Sequence, residues 1–252
     1  MRKVFLLALL VSPIALAESV SVETHSLMRL PNSTSVLQLE RLEVADYGTL
    51  LIPANITQVT VDELHLGREA RIAIVPSASA LQLQVRHAQL EHGSQITSRG
   101  APGTHEKPAR PGRDLTLRIN GLIAEELSVD ARGGTGAQGY SGLDGANGED
   151  PGCTWGSAGR GANGDNGGDG LPGAAGAAVR IELPRDYPSE QIKVWVEGGA
   201  GGLPGVAGKP GKGGASKGCL VYRADGGEKG RPGLEGQAGP SGPAGTVTIQ
   251  RL

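Results

Sequence analysis

Glycine recurs at every third residue in four runs of this chain, at 133–148, 161–176, 199–214 and 227–245. Displacing the first two runs by 66 residues lays them on the last two. Gly133 then falls on Gly199, Gly176 on Gly242, and Cys153 on Cys219, the only other cysteine. The unit is a run, a cysteine-bearing tip and a second run, and it occurs twice. A period of three suits an extended left-handed backbone with three residues per turn and no hydrogen bonds of its own. Glycine in every turn leaves one edge without Cβ atoms. A second backbone can approach that edge and take up the idle N–H and C=O groups.

Two architectures supply the second backbone: three chains wound together, or one chain folded back on itself. The runs resemble those of bacterial collagen-like proteins and of polyglycine II proteins, which include the tip adhesins of some phages and the snow flea antifreeze proteins. The resemblance covers about the last half of the chain and rests on the Gly-X-Y frame. The frame specifies the backbone and says little about a ligand; with the strand-like segments upstream, the expected fold class is all-β and extended. Three features favour the folded-back form. Each run spans only six or seven triplets, a rod of roughly 50 Å. The frame breaks at the same place in both copies. Apolar segments flank the runs at 127–129, 178–183, 192–196 and 246–250, like the feet of two hairpins. Pro172, Pro204, Pro210, Pro232, Pro240 and Pro243 sit where collagen places proline and favour the triple helix. The expected form is a four-helix polyglycine II bundle in a monomer; a true triple helix would make the protein a homotrimer.

Upstream, Met1-Arg-Lys3 precedes an apolar stretch from Val4 to Leu16 and a small-x-small site at Ala15-Leu16-Ala17. This pattern predicts a signal peptide over 1–17, cleaved before Glu18. The stretch is too short to span a membrane as a helix. The protein is then secreted, periplasmic or held at the cell surface. The formal net charge of −2 and the lack of a basic stripe argue against nucleic acid. In an exported chain Cys153 and Cys219 are expected to oxidise. A bridge between them would join the two tips; a bridge between protomers and two free thiols are the alternatives.

Residues 36–98 alternate apolar and polar side chains in short bursts. Leu37, Leu42, Val44, Leu50 and Ile52 map onto Val59, Leu64, Leu66, Ile72 and Ile74 at one offset, 22 residues. Leu81-Gln-Leu83, Ala88-Gln-Leu90 and Ile96 continue the series after a two-residue slip, and a fourth set follows at 115–129. Period-two bursts within a longer fixed period predict a short parallel β-solenoid; a sandwich of short strands is the alternative. The expected organisation is a solenoid over 18–126, with a Gly/Pro surface loop at 98–113 and residues 18–35 as a cap. The duplicated glycine-rich part follows over 127–252, in copies 127–186 and 193–252.

Catalytic and metal signals are sparse. His25, His65, His87, His92 and His105 are scattered, and His65 between Leu64 and Leu66 points outward on a strand. The acidic pairs Asp62-Glu63 and Glu125-Glu126 read as solvated faces, although such pairs line the grooves of polysaccharide lyases. Asn163-Gly-Asp165 and Asp169 hint at calcium turns, but the nonapeptide pattern does not repeat. No catalytic residue, metal or cofactor is expected. Trp155 and Arg160 in the first tip, and Tyr222 and Arg223 in the second, are the candidate ligand-binding residues, since aromatic and Arg side chains anchor interfaces. The resemblance to phage adhesins implies the same, because there the distal loops contact the receptor. The expected function is a structural or adhesive protein whose partner is a surface glycan or a protein receptor. An ice-binding protein is the alternative, favoured by Ala174-Ala175 and Ala177-Ala178 and opposed by Arg160, Asp165, Lys209, Lys212 and Glu235. A polysaccharide-acting enzyme on the solenoid is a third and weaker reading.

Overall fold

The computed structural model describes residues 19–153 and 156–252. The expected signal peptide over 1–17 therefore lies outside the described residues. The chain winds in coils, each placing one strand in each of two parallel sheets. The first coil holds β1 (Ser19–Val22) and β2 (Leu27–Arg29), the second β3 (Val36–Val44) and β4 (Thr49–Ile52). Next come β5 (Gln58–Leu66) with β6 (Arg71–Ile74), then β7 (Leu81–Leu90) with β8 (Gln95–Thr97). The fifth coil holds β9 (Leu115–Ala124) and β10 (Leu127–Asp130), and the sixth β11 (Ala178–Leu183) and β12 (Ile192–Trp195). A small hairpin, β13 (Lys217–Gly218) and β14 (Arg223–Ala224), precedes the last strand, β15 (Thr246–Arg251). One sheet runs β1-β3-β5-β7-β9-β11-β15, the other β12-β10-β8-β6-β4-β2.

Register follows the sequence offset: Leu37 pairs with Val59, and Leu50 with Ile72. Stacked inward positions make aliphatic columns. One descends Leu50, Ile72, Ile96 and Val129 to Val194, and nearly all of these side chains are buried. The longer strands break their alternation once. Glu40-Arg41 in β3 and Arg86-His87 in β7 are consecutive outward residues, and the pairing skips Glu40 and Arg86 at this step. The break turns the strand, so that both of its halves keep an apolar face on the core. The first four coils then turn into the second sheet through a left-handed residue: His25, Tyr47, Glu69 and Gly93, at φ between 53° and 74°. The first three donate their N–H to the next coil, at Asp46 O, Arg68 O and His92 O. That hydrogen bond offsets the cost of a side chain in this region.

The third corner, from the second sheet back to the first, absorbs every long insertion. Residues 98–114 leave there between β8 and β9, 131–177 between β10 and β11, and 196–245 between β12 and β15. The glycine-rich hairpins are thus excursions from one corner of successive coils.

The expected fold class, a short solenoid followed by a four-helix polyglycine II bundle, is corrected on this point. No α-helix occurs among the described residues, which hold one three-residue 3-10 turn at Ser189–Gln191 and two parallel sheets of seven and six strands. The segments that read as strand-like feet of the two hairpins are strands β11, β12 and β15 of these sheets. Val179 and Ile181 continue the inward columns of Leu115 and Leu117, so burial of aliphatic side chains draws them into the stack. Residues 19–29, expected as a cap, form a coil of their own.

The glycine runs themselves are extended, and their hydrogen bonds leave each run for its neighbours. The first run donates its glycine N–H groups to the third, as Gly139 to Leu203 O at 2.9 Å. The second donates to the fourth, as Gly167 to Leu234 O at 2.8 Å. The third donates to the second, as Gly205 to Gly168 O, and the fourth to the third, as Gly236 to Gly205 O. Successive runs are antiparallel and alternate runs parallel. The Gly/Pro loop joins this array: Gly100 and Gly103 donate to Arg132 O and Thr135 O, and Gly134 donates back to Arg110 O.

Asparagine and aspartate complete the array. In the first copy Asp144, Asn147 and Asp150 accept the N–H groups of Lys209, Lys212 and Ala215 at 2.7–2.8 Å. Asn163, Asn166 and Asp169 accept those of Arg231, Leu234 and Gln237 in the same way. Residues that hinted at calcium turns, Asn163 and Asp169, are therefore backbone acceptors. The matching positions of the second copy hold Pro210, Gly213, Ser216, Lys229, Pro232 and Glu235, and Gly213 lies directly against the backbone of Gly227 in the fourth run, where a side chain would not fit. Replacing Asn163, Asn166 and Asp169 together with alanine should speed amide exchange at Arg231, Leu234 and Gln237 by about fivefold, given about 1 kcal/mol per hydrogen bond. Exchange at Lys209 and Lys212 should not change; measurement by NMR or mass spectrometry checks both.

Two charged side chains are buried where the array meets the coils. Arg113 is fully buried. It donates to Ser79 O at 2.7 Å, Ile56 O at 2.5 Å and, at longer range, Pro53 O and Val75 O. Burial lowers its pKa from the usual arginine value, but a guanidinium remains charged at any ordinary pH. Asp130 is 3% exposed and binds Arg132 at 2.7 Å, with Arg99 at 3.7 Å. Burial opposes its charge, but the hydrogen bonds from Arg132 outweigh this and hold the carboxyl below its usual range.

Candidate functional site at the distal tips

The far end of the array is closed by the Cys153–Cys219 disulfide, formed within one chain with a Cα–Cα distance of 5.6 Å. It ties the first tip to the second. Cys219 stands at the start of the turn in the hairpin of β13 and β14, with Lys217 opposite Ala224 and Gly218 opposite Arg223. Cys219 N–H donates to Tyr222 O at 2.8 Å and closes the turn. Tyr222 donates its hydroxyl to Cys153 O at 2.9 Å, which fixes its ring beside the bridge while half of the residue stays exposed. Leu220 and Val221 form the apex, at 103% and 90% exposure.

The predicted residues are distributed unevenly. Tyr222 and Arg223 share the apical hairpin, and Arg223 donates to Ser216 Oγ at 3.1 Å. Arg160 lies at the start of the second run, 3.8 Å from Glu228, in an exposed pair that contributes little stability. Trp155 lies outside the described residues. Sequence reasoning passed over Leu220 and Val221 because it weighted aromatic and Arg residues. The available signal was an aliphatic pair directly after a tip cysteine, in a stretch otherwise made of small and polar residues.

The outer face of the coils carries a second concavity, a groove of about 390 Å³ lined by Arg41, Glu63, His65, His87, Gln89 and Ile123. Within it Arg41 pairs with Glu63 at 2.7 Å, and His65 Nε2 lies 3.5 Å from the neighbouring Glu91 carboxylate. The neighbouring acids read earlier as solvated faces are paired as well, Asp62 with Arg86, Glu125 with His92 and Glu126 with Lys193. Among the described residues no three His, Cys, Asp or Glu side chains come together to hold a metal ion. No helix among them is long and apolar enough to cross a membrane.

Compared with known protein families, curated proteins and solved structures, the chain matches none.

Proposed function

We propose that this is an exported, non-catalytic structural or adhesive protein that acts at or beyond the cell surface. The coil stack is the base, the glycine array is the arm, and the disulfide-closed tips make contact with a partner on another surface. The observation that carries the reading is the pair Leu220-Val221, held in solvent at the end of a rigid array instead of being folded into it. Among the large exposed apolar side chains these two are the most exposed and are adjacent at the apex, which favours a contact surface over a chance exposure. Export is supported by the signal-peptide pattern at 1–17 and by the intrachain disulfide, which belongs to oxidising compartments. The protein works as a monomer in this reading, because the glycine runs satisfy one another within one chain.

The test is retention of the labelled protein on immobilised glycans, envelope proteins and intact cells. Changing Leu220 and Val221 to serine should abolish retention that the parent protein shows. Equal retention of parent and variant on every surface would remove the adhesive reading.

A further inference from the structure

The apex is built in layers along the axis of its hairpin. Leu220 and Val221 are outermost, with Tyr222 next to them. Arg223 follows two residues behind Val221, and Lys217 three behind Leu220. Both cations are on exposed residues. At about 3.3 Å per residue of strand, the cations sit roughly 7–10 Å behind the apex. An apolar end, an amphipathic tyrosine at the boundary and a cationic collar match the order met on entering a bilayer, reversed. Acyl chains lie beneath, the interfacial zone takes the aromatic ring, and anionic headgroups lie outside. A protein pocket would need concave complementarity to a knob, but it would not need the collar at headgroup depth. Two acids lie behind the collar: Asp225 follows Arg223 on the side away from the apex residues, and Asp150 accepts the Ala215 N–H at 2.7 Å.

We propose that the apical hairpin docks on an anionic lipid surface, inserting Leu220 and Val221 to the acyl boundary with Lys217 and Arg223 among the headgroups. This names the partner of the tip contact and rests on that reading. The contact is reversible: two aliphatic side chains supply less burial than a single acyl anchor, which by itself holds a protein only marginally. The disulfide and the Tyr222–Cys153 hydrogen bond keep the apex formed before contact, so little ordering is required on binding.

The test uses the full oxidised protein and sedimentation with vesicles of phosphatidylcholine, with or without a quarter of phosphatidylglycerol. Binding should appear with the anionic vesicles and weaken by about fivefold for each cation removed, in Lys217→Gln and Arg223→Gln. Leu220→Glu with Val221→Glu should weaken it by at least about tenfold. Leu203→Glu, on the exposed flank of the array, adds charge away from the tip and should bind as the parent does. Unchanged melting of each variant confirms that its fold is intact. Equal binding by parent and apex variant, or no vesicle binding at all, overturns the lipid assignment. In that event, tip-dependent retention on glycans, proteins or cells would leave the adhesive reading standing, and its absence would remove both.

Discussion

Gly202→Ala is expected to destabilise the protein by about 3 kcal/mol or more, whereas Gly218→Ala leaves stability within about 0.5 kcal/mol. The two changes add the same methyl group to glycines of opposite surroundings. Gly202 lies in the third run, donates to Leu171 O of the second and accepts from Gly239 of the fourth. A Cβ there would overlap Ala137 O of the first run and stand 3.0 Å from Leu171 N. Every obstacle is backbone, so no side chain can swing aside, and relief requires the first and second runs to part from the third. At Gly218 a Cβ meets nothing within 4 Å. Urea unfolding followed by circular dichroism compares them. Two alanine variants of equal stability would mean that the close approach of the runs is not what holds the array.

Arg113→Met is expected to cost about 3–5 kcal/mol. The guanidinium is the donor for carbonyls at the corners of two earlier coils, Ile56 on one and Ser79 on the next. An apolar side chain of similar length fills the space but leaves the buried Ile56 and Pro53 carbonyls unpaired, at about 1–3 kcal/mol each, and Ser79 O, at an exposed residue, turns to water. Among the described residues no carboxylate pairs with Arg113, so the substitution strands no opposite charge. Arg113→Lys should recover only part of the loss, because one ammonium cannot reach both corners as a planar fork does. Equal stability of the methionine variant and the parent, by the same unfolding measurement, would show that water satisfies those carbonyls and that the arginine is dispensable.

The parts of the fold that repeat were legible in the sequence. Leu37 over Val59 and Leu50 over Ile72 could be read from one constant offset, because stacked strands bury their side chains in register. The glycine period showed where backbones would come close. It did not show which sheet lies at the ends of the runs. Val179, Ile181 and Leu183 read as strand-like feet of the glycine hairpins, and their alternation is that of the coil strands they join. Three-residue periodicity says nothing about which sheet receives the chain on its return. Gly100 and Gly103 are too few to announce that their loop joins the array. His25, Tyr47 and Glu69 carry left-handed backbone that only Gly93, in the same turn of a later coil, would advertise. The buried Arg113 looks like any loop arginine, since its partners are main-chain carbonyls distant in sequence. At the tips the disulfide partners were legible from their equivalence in the two copies, but the apex residues were not, because exposure of an aliphatic pair is a property of the folded turn.

All the long excursions leave and re-enter through one corner, and this separates two dimensions of the molecule. The number of coils sets the breadth of the pedestal. The number of triplets in each run sets the reach of the arm. Inserting one triplet into all four runs would carry the tips outward by roughly 9 Å at the rise of such a chain, with no strand shifted against its neighbour. Evolution, or a designer, can therefore adjust how far the molecule extends while leaving its foundation unaltered.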